Sequence, residues 1–390
     1  MTSKYLQRFE VSYEYPVYFT RDVLDPANPT LAEAVTRREP SRRHRAFVIV
    51  DSGVATARPR LADELAAYAE AYGDRLELAA APEIVPGGEA VKNDRETLAH
   101  LLTRLHDRAL DRQSSVVIIG GGAVQDMAGF AAANVHRGLR TVRLPTTVAS
   151  QNDSGVGVKN GINAFGVKNF IGTFHPPYAV IDDFAFLETL SARDRIAGMS
   201  EAVKVALIRD PRFFEWLEVN VAALANFERS AVEYMVRRSA ELHLEHIATS
   251  GDPFEYGNAK PLDFGHWSAH KLESMTDYEL RHGEAVAIGI CIDARYSCVA
   301  GMLAEDELWR AFALIKRLGF AMWHDMLAAR NGEGRRRVLD GLAEFREHLG
   351  GELSLTMLDA IGAGREIDTV DEHRMDGSIE WLADRARQAS

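Results

Sequence analysis

Residues 114–138 read SSVVIIGGGAVQDMAGFAAANVHRG, and the fold turns on this stretch. Val116 to Ile119 is a continuous apolar run rather than an alternating one, the pattern of a strand buried on both faces of a parallel sheet. Gly120, Gly121 and Gly122 stand where that strand gives way to the helical AGFAAANVHRG. Glycines at this junction let backbone N–H groups at a helix N-terminus approach a pyrophosphate. The run is not the GxGxxG fingerprint, and a bare glycine triplet also suits a tight turn with no ligand.

Working outward, RAFVIVD (45–51) reads as a second buried strand, LADELAAYAEAYG (61–73) as a helix, DRETLAHLLTRLHDRAL (94–110) as another helix, and TVRLPTT (141–147) as a short strand ending in a turn. Alternating strands and helices predict a doubly wound α/β domain, whose strand ends carry the ligands. Asp51 closes VIVD and suits either a ribose hydroxyl or a simple strand-end cap. From about Leu190 the texture changes to long amphipathic helices such as SAVEYMVRRSAELHLEHIA and HGEAVAIGICIDARYSCVAG. We therefore expect an α/β domain over residues 1–190 and a mainly helical domain over 191–390. Between them, Ser150 to Tyr178 is rich in Gly, Asn, Ser and Lys and predicts a long polar loop, a feature that is usually functional.

The 390 residues are too many for one ordinary core, in keeping with two domains around a cleft. Forty-five basic against fifty-seven acidic residues give a net charge of −12, which argues against nucleic acid or an anionic membrane as the main partner. Cys291 and Cys298 lie seven apart on a predicted helix, too far along it to bridge, as expected of a reducing cytoplasm. No apolar run approaches the eighteen or more residues of a spanning helix, and the first residues lack the basic-then-apolar pattern of a secretory leader. Soluble, cytoplasmic placement is the expectation.

Two groups of residues carry chemistry. Gln151 to Gly161, followed by Lys168 and Asn169, offers lysines, amides and glycines suited to cradling phosphate and hydroxyl groups. His266 and His270 are four apart in GHWSAHKL and project from one face of a helix. His282 opens another helix, and Glu201 stands one turn before Lys204 in GMSEAVKVALI. A catalytic zinc takes three N or O ligands and leaves one position open, so two of these histidines with Glu201 would suffice; an HxxxH pair is also common on plain helix surfaces.

Six motifs, GGGAVQDMAGFAAANVHRG, PTTVASQNDSGVGVKNGIN, KNFIGTFHPP, GMSEAVKVALI, DFGHWSAH and RHGEAVAIG, occur in the order found in the sugar phosphate cyclases. Over roughly residues 45–300 the chain resembles that superfamily, whose best-known member is 3-dehydroquinate synthase. The resemblance implies a Rossmann-like NAD-binding domain followed by a helical metal-binding domain. It implies zinc, with cobalt as a substitute, held by Glu201, His266 and His282, and His270 as a nearby proton relay. NAD would contact Asp51, Glu89, Lys92, Gly121, Gly122, Asp126, Thr146 and Thr147. Asp153, Lys159, Lys168, Asn169 and Lys204 would face a sugar phosphate, and Arg137 would reach its phosphate, in the family often from the second subunit of a homodimer. For the C-terminal phosphate contact, His373 and Arg374 are the candidates. The implied reaction is a lyase cyclisation: transient oxidation by NAD, phosphate elimination, re-reduction and aldol closure.

Dehydroquinate synthases hold a substrate carboxylate with a lysine, an arginine and an asparagine ahead of the zinc histidine. Counting back from His266 without a gap, in a register supported by Gly257 and Glu255, those positions are Glu245, Ala259 and Asp263. Two cations are gone and two acids have appeared, which favours a hydroxymethyl ketone head as in sedoheptulose 7-phosphate, the substrate of 2-epi-valiolone and 2-epi-5-epi-valiolone synthases. The loop pattern DSSVGGKTGIN is here DSGVGVKNGIN, altered at Gly155, Val158 and Asn160, so a reshaped pocket is expected. Lys260, beside the missing arginine, keeps an ordinary dehydroquinate synthase acting on 3-deoxy-arabino-heptulosonate 7-phosphate as the alternative. A metal-dependent polyol dehydrogenase is a further one.

Overall fold

In the computed structural model, residues 2–249, 254, 262–348 and 353–389 are described. Seven strands form one sheet in which all pairs are parallel: β1 (Val17–Thr20), β2 (His44–Asp51), β3 (Leu76–Leu78), β4 (Glu83–Val85), β5 (Ser115–Gly120), β6 (Arg140–Pro145) and β9 (Ala179–Asp183). Their order is β1-β9-β6-β5-β2-β3, with β4 also beside β2. Continuous apolar runs form the centre because both faces are covered. Val48 and Val50 of β2 and Val117 and Ile119 of β5 turn to one side, while Phe47, Ile49, Val116 and Ile118 turn to the other.

The chain leaves β2 toward β3 and β4 on one side, then crosses back to place β5 on the other. That reversal makes a switch point at the carboxyl ends of β2 and β5, where ligand crevices form in such sheets. Helix α1 (Gly122–Asn134) starts directly at this point.

The expected polar loop from Ser150 to Tyr178 is corrected by the structure. It contains a single π-turn over Ser150–Ser154 and an antiparallel hairpin of β7 (Lys159–Ala164) and β8 (Val167–Phe174). The fully buried Arg143 anchors it, donating to the carbonyls of Gly155 at 3.1 Å and Gly157 at 2.8 Å and to Asn160 Oδ1 at 2.7 Å. The altered Asn160 therefore faces inward, onto the arginine.

The second half is mainly helical, as expected, around one large apolar core. The site is carried by α2 (Met199–Arg209), α3 (Arg229–Thr249), α4 (His266–Met275) and α5 (His282–Val299). Helix α5 is buried on nearly every side from Ala285 to Ala294, the pattern of a helix at the centre of a bundle. Its Gly289 permits close contact with α4: a Cβ there would stand 2.0 Å from the Gly265 carbonyl oxygen. Gly265 itself has φ +81°, a left-handed conformation at which the chain turns into α4. A second hairpin, β10 (Leu355–Ala360) and β11 (Ala363–Ile367), breaks the helical pattern and is an element that periodicity alone did not suggest. Both cysteines are free thiols on α5, and no helix among the described residues is long and apolar enough to cross a membrane.

Candidate active site

The residues on α2, α4 and α5 meet in one cluster. Helix α2 is buried along its length, so Glu201 and Lys204, one turn apart, both point into protein. Ligand atoms of Glu201, His266 and His282 lie within 4.8 Å of one another. Glu201 Oε1 is 3.2 Å from His282 Nε2 and 3.7 Å from His266 Nε2, and Lys204 Nζ is 2.6 Å from Glu201 Oε2. His270 stacks at the edge of this group, its ring 5.5 Å from that of His266 and 6.0 Å from that of His282.

The donor set fits a metal ion. Both carboxylate oxygens of Glu201 are buried without a well-directed hydrogen bond, Oε2 lying against the ammonium of Lys204 and Oε1 facing the two imidazoles. Burial and the nearby ammonium of Lys204 lower the His266 pKa to about 4, so its imidazole is neutral and can offer a lone pair. Burial, with Lys168 next, holds His270 well below its ordinary range as well. His282 differs: burial lowers its pKa, but the carboxylates of Glu273 and Glu201 together outweigh this and lift it to about 9.

Glu273 was not singled out from sequence, although it follows His266 by seven residues and so shares its face of α4. It is 2 % exposed; its Oε2 is 3.1 Å from His282 Nδ1, and Lys168 Nζ donates to both its oxygens at 2.8 and 3.0 Å. A carboxylate on one ring nitrogen leaves the other aimed at the cluster, the usual way of orienting a ligand histidine. His243 on α3 is a second residue that sequence reading missed. Its Nδ1 is 3.0 Å from Asp153 Oδ1, which also lies 3.3 Å from Lys204 Nζ. Burial raises the Asp153 carboxyl pKa, yet Lys204 and His243 together hold it well below the carboxylate range.

The polar hairpin carries Lys159, Lys168 and Asn169. Lys168 is committed to Glu273, and Asn169 Oδ1 accepts from Lys92. Lys92, almost fully buried, also pairs with Asp126 at 2.8 Å and Glu89 at 3.7 Å. Lys159 lies close enough to Asp263 to act on it electrostatically. Asp263 precedes α4; its Oδ1 lies 2.9 Å from Thr356 Oγ1, within hydrogen-bond distance. Burial, reinforced by the charge of Glu366, raises its pKa to about 8. Arg137 is exposed after α1, with φ 65° at a turn where His136 also has positive φ. Glu245 is exposed on α3, two residues from His243 and so about 200° around the helix from it. Gly257, Glu255, Ala259 and Lys260 lie outside the described residues. His373 and Arg374 are exposed near the start of the last helix.

At the switch point, Asp51 caps the turn after β2, its Oδ1 accepting from the Gly53 N–H at 2.8 Å. Gly121 and Gly122 face Thr147 and Ser154: a Cβ on Gly122 would stand 2.7 Å from Ser154 Oγ. The Thr146 N–H donates to the Gly120 carbonyl at 3.1 Å, tying the ends of β5 and β6 together. This bare backbone at a helix N-terminus suits a pyrophosphate, and Asp51 and the Lys92–Asp126 pair border it.

Residues 83–197 match the model of the 3-dehydroquinate synthase N-terminal domain, and residues 198–333 that of its C-terminal domain. The 3-dehydroquinate synthase of Halorhodospira halophila is 36% identical over 350 residues, covering 89% of this chain and 91% of its own. Among solved structures, the 2-epi-5-epi-valiolone synthase of Streptomyces hygroscopicus subsp. jinggangensis, with NAD+ and Zn2+ bound, superposes with TM-score 0.86 at 28% identity, covering 98% of this chain and 100% of that one. A 2-deoxy-scyllo-inosose synthase complexed with carbaglucose-6-phosphate, NAD+ and Co2+ shares the fold at TM-score 0.74 and 22% identity, over 93% of this chain and 95% of that one. The chain therefore belongs to the 3-dehydroquinate synthase family, within the sugar phosphate cyclases.

Proposed function

We propose that this cyclase acts on sedoheptulose 7-phosphate and releases phosphate to give a C7 cyclitol of the 2-epi-valiolone or 2-epi-5-epi-valiolone type. The observation that carries the reading is Asp263: an acid stands where a dehydroquinate synthase would place an asparagine against the substrate carboxylate, and it is backed by Glu366 through Thr356. Burial and the charge of Glu366 keep the Asp263 carboxyl largely protonated at pH 7, so the wall offers substrate hydroxyls both a donor and an acceptor, while the charge of Glu366 behind it opposes a substrate carboxylate. The 2-epi-5-epi-valiolone synthase likeness over nearly the whole chain supports the same choice. The curated relatives, at 36 % and 40 % identity, are 3-dehydroquinate synthases and favour the second reading, in which 3-deoxy-arabino-heptulosonate 7-phosphate is the substrate.

Glu201, His266 and His282 would hold zinc or cobalt, and the switch point with Asp51, Glu89, Lys92, Asp126 and Thr147 would hold NAD. When bound, the metal supplies a Lewis acid and NAD a transient hydride acceptor. The chain's own residues then orient and balance charge. Glu273 fixes the His282 ring. Lys204, ion-paired to Glu201 and Asp153, places a buried positive charge where an oxygen of the substrate gains negative charge. Neutral His270 can pass a proton between its two ring nitrogens. By the family resemblance, Arg137 would offer its guanidinium to the phosphate from the second subunit of a homodimer.

The test is phosphate release by metal-loaded enzyme with NAD, comparing sedoheptulose 7-phosphate with the carboxylated 3-deoxy-arabino-heptulosonate 7-phosphate. Release from the first alone is expected. Release from the second alone establishes a dehydroquinate synthase, and net NADH formation without phosphate release points to a polyol dehydrogenase.

A further inference from the structure

The hairpin β10–β11 carries a row of polar side chains behind Asp263. Leu353, Ser354, Leu355, Thr356 and Met357 alternate; Leu355 and Met357 enter the helical core, so Ser354 and Thr356 take the other face. Thr356 pairs in register with Glu366 across the hairpin, which puts both side chains on that face. Glu366 Oε1 accepts from Thr356 Oγ1 at 2.8 Å and its Oε2 from Ser354 Oγ at 3.0 Å. Thr356 Oγ1 lies 2.9 Å from Asp263 Oδ1 as well, so one buried hydroxyl joins two acids. The hairpin cannot drift from the site, because the Gly362 N–H donates to the Leu207 carbonyl at 2.7 Å, and Leu207 lies on the helix that bears Glu201 and Lys204.

We propose that Glu366, acting through Thr356, is a positioning residue that fixes Asp263 against the substrate head and selects hydroxyl over carboxylate there. This rests on the reading of Asp263 given above. The hydroxyl of Thr356 holds the Asp263 carboxyl in one rotamer, and Glu366 adds a second acidic group directly behind it. A hydroxymethyl ketone donates into such a wall. A substrate carboxylate would meet the charge of Glu366 standing behind Asp263, an arrangement that rejects a wrong partner by like charge. A glutamine at position 366 keeps the side chain's length and shape but removes the charge that makes its contact with Thr356 a hydrogen bond to an ionised group.

The experiment uses metal-loaded holoenzyme with NAD and compares wild type, Glu366→Gln, Thr356→Val and Thr356→Ser on the two heptose phosphates, with metal content measured in parallel. In Glu366→Gln and Thr356→Val we expect KM for sedoheptulose 7-phosphate to rise about tenfold, the loss of one hydrogen bond to an ionised group, with kcat within about threefold of wild type. Thr356→Ser, which keeps the hydroxyl, should restore the wild-type KM. The ratio of kcat/KM values should move toward the carboxylated substrate in Glu366→Gln, and the metal content should stay at wild-type level. An unchanged KM in Glu366→Gln, or a loss of metal and kcat in both variants with no change in substrate preference, overturns the proposal. Wild type that takes only the carboxylated substrate removes the reading of Asp263 itself, an outcome visible before any variant is made.

Discussion

Glu273 divides its carboxylate between His282 and the ammonium of Lys168, and it does so while almost fully buried. Glu273→Gln would leave one oxygen to accept and turn an NH2 toward either the ring or the ammonium. Metal affinity should fall between about 10- and 100-fold, the usual cost of losing a partner behind a ligand histidine. A chelator competition titration of the variant measures it, and affinity equal to wild type would mean that His282 is oriented by something else. Sequence reading reached the three clustered ligands because they sit inside family motifs. It missed Glu273, His243, Thr356 and Glu366 because each acts through one of those motif residues rather than within a motif. Glu273 was still recoverable, since its offsets of seven from His266 and three from His270 repeat the face that the HxxxH pair defines. His243 was not: nothing in ELHLEH tells which side of α3 meets the turn bearing Asp153.

At the scale of elements, the parallel sheet was legible because its strands are buried on both faces and read as unbroken apolar runs. The two hairpins were not. In KNGINA and VKNFIGTF polar and glycine residues interrupt any alternation, and the strands are held from outside by Arg143, which the sequence does not connect to residues 155–160. The β10–β11 hairpin does alternate, but it is short and follows a long helical pattern. Close packing of α4 on α5 gives a prediction here. Gly289→Ala forces a methyl group to within 2.0 Å of the Gly265 carbonyl, immediately before His266. Backbone must shift, so we expect a loss of about 1–3 kcal/mol in urea unfolding, together with weaker metal retention. A variant as stable as wild type would show that the two helices have slack at this contact.

Across the whole molecule the buried acids pull stability in two directions with pH. Asp210 and Glu83 are each raised somewhat by burial, but Arg238 for the first, and His100 and Arg104 for the second, bring them below the ordinary carboxylate range. Folded forms that hold an acid's pKa low gain stability that is present above the unfolded value, about 4, and is lost as pH falls below it. Asp182, Asp263 and Asp293 behave oppositely. Burial raises Asp293 to about 7 and, with Glu366, Asp263 to about 8; Asp182, both of whose oxygens lack hydrogen-bond partners, is pushed well above its ordinary value by burial alone. Between about pH 4 and pH 8 the folded chain therefore binds more protons at these three positions than the unfolded chain does, and its stability falls as pH rises. Neutral His266 and His270 add a third trend, stability gained as pH rises to about 6.5, the unfolded value, and the three together place the greatest stability of metal-stripped protein at about pH 6, on the acid side of neutrality. Thermal unfolding from pH 4 to pH 9 in the presence of chelator should show a midpoint that peaks there and declines toward pH 8, and Asp182→Asn should make that decline shallower by removing one of the three groups. A midpoint that climbs steadily from pH 5 to pH 8 would mean that these acids stay ionised in the fold, and Asp263 would then face its substrate as a carboxylate throughout the neutral range.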